Sequence, residues 1–183
     1  MKNIELYKQH HKENEIYGNG GALKFHLRLL ADVILETKSK TLLDYGSGKG
    51  SIYYDRSIQK HWGGIMPSLY DPAVLEFEKL PDGPFDGVYS IDVMEHIPHE
   101  EVPEVLEQIF DRAERFVFLG IATDVSKTIL PNGENAHCTV ESTDWWEKQI
   151  LGVNGLGIYT QLHTYGKWND YRIYNDEHFL NNI

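Results

Sequence analysis

LLDYGSGKG, residues 42–50, decides how the rest of the chain is read. An apolar run ends in Asp44 and gives way to glycines at alternate positions, Gly46, Gly48 and Gly50. Glycine tolerates positive φ and carries no Cβ, so such a segment turns sharply and lets its backbone approach a bound molecule. In open α/β sheets, the turn after the first parallel strand is where nucleotide-like ligands sit. Two better-known glycine loops do not match. A dinucleotide fingerprint begun at Gly46 needs glycine at position 51, where Ser51 stands. A P-loop needs Ser or Thr after Gly-Lys, and Lys49 is followed by Gly50.

Outward from this loop, the pattern alternates between strand and helix. Residues 22–36 place Leu23, Leu27, Leu30, Val33 and Ile34 on one helical face. A short strand is expected over 41–45, a helix over about 51–61 and a second strand over 65–70, stopped by Asp71-Pro72. Only a brief third strand fits before residue 85. FDGVYSI, residues 85–91, is rich in β-branched and aromatic residues and reads as a further strand. Residues 98–113 open with proline and carry Val102, Val105, Leu106 and Ile109 at helical spacing. RFVFLGIA, 115–122, is continuously apolar, as in a strand covered on both faces. A helix over 143–151 and strands over 158–165 and 170–174 complete the order. Strands that alternate with helices lie parallel, because parallel neighbours need crossover connections. The last two strands are joined by a short turn and are expected to pair antiparallel. The fold class is therefore α/β: a doubly wound, mostly parallel sheet with an antiparallel C-terminal hairpin.

Length and charge narrow the chemistry. The 183 residues suit one domain, 1–183, with residues 1–21 as an N-terminal flap whose GNGG run (18–21) lies beside Tyr7 and Tyr17. The net charge is −11, with 28 acidic residues against 17 basic ones. Phosphate backbones are held by clustered Lys and Arg, so no nucleic-acid partner is expected and a small-molecule acceptor is favoured. No apolar run approaches the roughly 20 residues of a membrane span, so no membrane partner is expected. A lone cysteine, Cys138, suits a reducing cytoplasm. Oligomeric state is not legible.

Three segments together carry a family resemblance. LLDYGSGKG resembles the first S-adenosylmethionine (SAM) motif of class I methyltransferases, an acidic residue followed by G-x-G-x-G. YDPA, 70–73, resembles their second motif, and FDGVYSIDVMEHIP, 85–98, their fourth-strand segment. The resemblance spans about residues 22–125, and the compact chain with its NAHCTV and Trp145-Trp146 stretch is similar to small methyltransferases encoded by bacteriophages. It implies a Rossmann-like methyltransferase fold with SAM as cofactor and S-adenosylhomocysteine (SAH) as product. It further implies that Asp44, Gly46, Ser47 and Gly48 surround the amino-acid and ribose part of SAM. Asp71 would hold the ribose hydroxyls beside Pro72 at the adenine, and Ser90 and Asp92 would sit near the methionine end. The third motif, which often supplies an adenine contact, is not legible in EFEKLPDGP. The N/D/S-P-P-aromatic motif of enzymes that methylate nucleic-acid amino groups is replaced by Ser90-Ile91-Asp92-Val93.

The acceptor side is expected in the loop LPNGENAHCTV, 130–140, after the 115–122 strand. His137 is the expected general base, since imidazole exchanges protons near neutral pH. Asn135, His96 and Tyr17 are expected to contact the acceptor, with Glu95 nearby. Trp145-Trp146 is read as packing of the following helix. His96, His99, His137 and Glu95 could ligate a metal, but H-x-x-H at 96–99 needs a continuous helix and Pro98 interrupts it, so no metal is expected. Methyl transfer to oxygen or nitrogen of a small molecule is the expected reaction. The alternatives are a non-catalytic SAM- or SAH-binding protein or partner subunit, and a nicotinamide-dependent oxidoreductase, which Ser51 argues against.

Overall fold

A computed structural model describes residues 3–153 and 157–174. Helix α1 (Ile4–Glu13) and helix α2 (Leu23–Glu36) precede strand β1 (Leu42–Tyr45). Then come α3 (Ser51–Arg56), β2 (Ser68–Tyr70), β3 (Phe85–Ile91), α4 (Val102–Phe110), β4 (Ala113–Ala122), α5 (Thr143–Val153), β5 (Tyr159–Tyr165) and β6 (Asp170–Tyr174). The six strands form one sheet in the order β2-β1-β3-β4-β5-β6. All neighbours are parallel except β5 and β6, which pair antiparallel. This is the expected mostly parallel α/β sheet with its terminal hairpin. Among the described residues, no helix is long and apolar enough to cross a membrane.

The alternation of side chains along each strand divides the core into two layers. Leu43, Val88, Val117, Leu119 and Ile121 face α4 and α5, where Val105, Leu106, Ile109, Trp146 and Ile150 meet them. Leu42, Tyr89, Phe116 and Phe118 face the other way, onto Leu30, Val33 and Ile34 of α2 and onto Ile52 and Trp62. Each large apolar side chain fully buried in these layers contributes roughly 1.5–3 kcal/mol of transfer free energy. Gly87 has a packing role. A Cβ there would lie 2.0 Å from the Phe116 ring, so the glycine leaves room for the aromatic side chain of its β4 partner. Trp146 is fully buried in this core, in keeping with the packing expected of the tryptophan pair.

Four details depart from the sequence reading. The helix expected over 51–61 stops at Arg56, because Ser57 turns left-handed (φ 47°) and the chain continues as a 3-10 segment, Ile58–Trp62. The strand expected over 65–70 shortens to Ser68–Tyr70, since Pro67 has no amide for a ladder. No strand forms between Asp71 and Pro84; the segment is a turn-rich connection, so the segment that resembles a fourth strand is β3 here. The helix expected over 98–113 begins as a 3-10 turn, His99–Glu101, and ends at Phe110.

Sheet order fixes where a site can form. From β1 the chain moves outward to β2 and then crosses back to β3 on the other side of β1. The crevice at the carboxyl ends of β1 and β3 is the switch point of the sheet.

Candidate active site

A cavity of about 480 Å³ opens at that switch point, within the range of small-molecule and cofactor sites. Its floor is the glycine turn after β1, its sides are Asp71–Ala73 after β2 and Ile91–Val93 after β3, and its roof is the N-terminal segment. The glycine turn is hung from β2: the amides of Gly46 and Ser47 both donate to the Tyr70 carbonyl, at 2.7 and 2.9 Å. Gly48 is left-handed (φ 56°), and a Cβ on it would lie 2.2 Å from the Gly18 carbonyl oxygen. No side chain fits between the turn and the roof at that point.

Asp71 organises the second edge. One oxygen accepts the Gly48 amide at 2.8 Å and the other the Ala73 amide at 2.9 Å. Each oxygen keeps a further lone pair. Burial raises this carboxyl above its usual range, against the opposing pull of the two amides. Asp44 lies deeper. It accepts a hydrogen bond from the Tyr53 hydroxyl at 2.5 Å, and that hydroxyl also meets Tyr89 at 2.5 Å. Burial pushes the Asp44 carboxyl up to about 7; Tyr53 opposes the shift and Asp71 adds to it. A carboxyl so poised is set to lose its proton when a cation comes beside it.

The β3 end delivers Asp92 in a left-handed conformation (φ 64°), which aspartate tolerates better than most residues. Asp92 accepts a 2.6 Å hydrogen bond from the Tyr165 hydroxyl. Glu95 is fully buried, its Oε1 accepting the Ala122 amide at 2.8 Å. Burial holds its carboxyl well above the usual range, and the Asp92 carboxylate adds to the effect. His96 lines the cavity and meets the Ala136 carbonyl through Nδ1 at 2.8 Å. A carbonyl only accepts, so Nδ1 carries the hydrogen. Burial lowers the His96 pKa to about 4, helped by neighbouring His137, so the ring is neutral at pH 7.

His137 also lines the cavity, with its ring edge-on to His96 at 4.8 Å between centroids. Its Nδ1 meets the Asp124 carbonyl at 2.6 Å, which places the hydrogen on Nδ1 and leaves the Nε2 lone pair free. Asn135 builds this arrangement from behind. Its Oδ1 accepts the amides of Ser126 and His137, and its Nδ2 donates to the Ser126 carbonyl.

Of the residues singled out from sequence, Asp44, Gly46, Ser47, Gly48, Asp71, Pro72, Asp92, His96, His137 and Tyr17 line this one cavity. Ser90 and Asn135 are not among its lining residues. Ser90 is fully buried inside β3, where strand alternation turns Ile91, not Ser90, toward the cavity. The Asn135 amide is committed to its own loop. His99 points elsewhere, pairing with Glu141 at 2.9 Å. The roof supplies residues that the sequence reading missed: Ile4, His11 and Asn14, besides Tyr7. Their 4-7-11-14 spacing is one face of a helix, a signal obscured by the polar character of α1. The Tyr7 hydroxyl donates to the Ala136 carbonyl at 2.8 Å, and Lys49 Nζ donates to the carbonyls of Asn14 and Glu15.

No protein-family model and no curated protein sequence matches this chain. Among solved structures it is similar to an O-methyltransferase family protein from Burkholderia thailandensis, at 14% identity and a TM-score of 0.52. The likeness covers 74% of this chain and 53% of the other, so the chain spans about half the length of that structure. At this identity the likeness speaks to architecture, and the architecture is a methyltransferase fold.

Proposed function

We propose that the chain is a SAM-dependent methyltransferase acting on a small-molecule acceptor, at oxygen or nitrogen, with oxygen favoured. One observation carries the proposal: the glycine turn, Asp44 and Asp71 converge on a single cavity at the switch point of a methyltransferase fold. The residues fit the cofactor. Gly48 lets the turn pack directly under the Gly18 carbonyl at the cavity wall, and the deep Asp44 carboxyl suits a bound ammonium group. Asp71 retains lone pairs for ribose hydroxyls, with Pro72 beside the base.

When bound, SAM supplies the reactive sulfonium methyl; the protein has to orient the acceptor and accept its proton. We assign the second task to His137: the Asp124 carbonyl fixes its tautomer and leaves the Nε2 lone pair available. Neutral His96 packs against it and adds no charge of its own beside it. Tyr7, Tyr17 and His11 close the roof and exclude water. The O-methyltransferase family of the structural neighbour supports oxygen as the acceptor atom.

Calorimetry with SAM and SAH, followed by a SAH-release assay over hydroxyl- and amine-bearing acceptors, tests the reading. Binding with turnover supports it. Tight binding without turnover on any acceptor would favour a non-catalytic SAM- or SAH-binding protein, and absence of binding to either compound would remove the assignment.

A further inference from the structure

The segment after β3 and the loop after β4 bring three potential ligand groups together. One carboxylate oxygen each from Asp92 and Glu95 and one ring nitrogen of His137 lie within 4.8 Å of one another. Within this group Glu95 Oε2 is sealed from solvent and meets no N–H or hydroxyl, its carboxyl lying instead against that of Asp92, although Oε1 of the same side chain is fixed by the Ala122 amide. A buried, rigidly held carboxylate oxygen without a donor is costly unless something positive faces it. Its charged neighbour is another carboxylate, that of Asp92. Two such groups side by side need either a shared proton or a cation.

We propose that Asp92, Glu95 and His137 bind one divalent cation at the acceptor side of the cavity. Three features favour the cation over the proton. His137 is oriented as ligating histidines are, with its other ring nitrogen donating to a backbone carbonyl, that of Asp124. Two carboxylates and a neutral imidazole balance a 2+ charge. A cation about 2.2 Å from each ligand would hold neighbouring ligand atoms roughly 3.1–3.6 Å apart, so atoms within 4.8 Å of one another reach that spacing by side-chain rotation of about an ångström. The mixed oxygen and nitrogen set suits manganese, cobalt(II), iron(II) or zinc better than calcium. Three protein ligands leave positions open for water or an acceptor hydroxyl, whose proton such a cation makes easier to remove. This role for the cation rests on the methyl-transfer reading; its binding does not. It also reassigns His137, whose Nε2 lone pair would go to the cation, and the proton released from the cation-bound acceptor hydroxyl would pass to water.

The test uses the full chain after dialysis against chelator, titrated with Mn²⁺ and followed by the loss of the free-ion electron paramagnetic resonance signal. Co²⁺ absorption provides a second readout. One Mn²⁺ per chain is expected, and Glu95→Gln and Asp92→Asn should each weaken it at least about tenfold. Asp92 is exposed, so Asp92→Asn reports on the site even where Glu95→Gln disturbs folding. No Mn²⁺ or Co²⁺ binding by folded wild-type protein, or unchanged affinity in Asp92→Asn, overturns the proposal. SAH calorimetry on the same samples separates the two readings. SAH binding without metal binding leaves Asp92 and Glu95 as a proton-sharing pair, and metal binding without SAH binding removes the methyl-transfer role alone.

Discussion

The Gly48 amide donates to Asp71 Oδ2 at 2.8 Å, tying the turn after β1 to the end of β2 through one side chain. Asp71→Asn places an amide NH₂ against one of the two backbone amides, Gly48 or Ala73, that now donate to separate carboxylate oxygens. SAH affinity is expected to fall at least about tenfold, a loss of about 1.4 kcal/mol. Thermal stability should drop too, because a buried donor is left unsatisfied. Calorimetry and a thermal melt check both. Unchanged affinity would take Asp71 out of the binding site.

Gly48→Ala should be worse for binding than for folding. A left-handed alanine costs roughly 1 kcal/mol, and its Cβ would strike the Gly18 carbonyl oxygen. The roof must then lift, exposing the Lys49 amide that donates to Gly18 at 2.8 Å. Hydrogen exchange over residues 14–21 is expected to speed up in this variant. SAH affinity should weaken by at least the same factor as in Asp71→Asn.

Asp44 gives a pH signature. Its carboxyl titrates near 7 in the fold and near 3.8 when unfolded, so the folded state holds this proton more tightly. The resulting stabilisation is complete below about pH 4, declines as pH rises toward 7, and is lost above it. Asp44→Asn lacks this dependence. Wild type should therefore lose melting temperature relative to the variant between pH 4.5 and 7.5, in thermal melts run side by side. An ammonium placed beside Asp44 lowers its pKa, so SAH binding near pH 6 is expected to release a proton. Calorimetry in buffers of different ionisation enthalpy would detect that release, and its absence would place the ammonium elsewhere.

Tyr7→Phe isolates the roof. Helix α1 has no buried residues, so removing one hydroxyl should hardly change the melting temperature. Loss of the 2.8 Å bond to the Ala136 carbonyl costs about 1 kcal/mol of closure. A rise of about fivefold in KM for the acceptor is the expected outcome in steady-state kinetics. A matching fall in thermal stability would instead make Tyr7 a structural residue.

Local signals carried most of the architecture. The run 42–50, Asp71 and the 85–98 segment are each contiguous, and their chemistry is visible without tertiary contacts. What escaped was set by the fold. Nothing local shows that Ser57 would turn left-handed and break a helix, or that Ile91 would face the cavity in place of Ser90. Asn135 had the composition of a contact residue, yet its amide is consumed by Ser126 and His137. The meeting of Asp92 and Glu95 with His137 depends on where the loop after β4 returns. That return is fixed by pairings such as the Thr139 amide on the Glu95 carbonyl at 3.0 Å. The H-x-x-H spacing drew attention to His99, which in the fold hydrogen-bonds Glu141 at the surface.

On the proposed reading, the bare contact between Gly18 and Gly48 couples loading to closure. A molecule resting on the turn and the helix above it share one surface, so neither can shift without the other. Release of SAH should then, on this reading, be gated by the lifting of the segment around Gly18, and solution viscosity would slow turnover even where bond-making is fast. By the same reasoning, stiffening residues 14–21, which carry Gly18 over the turn, would slow SAH release.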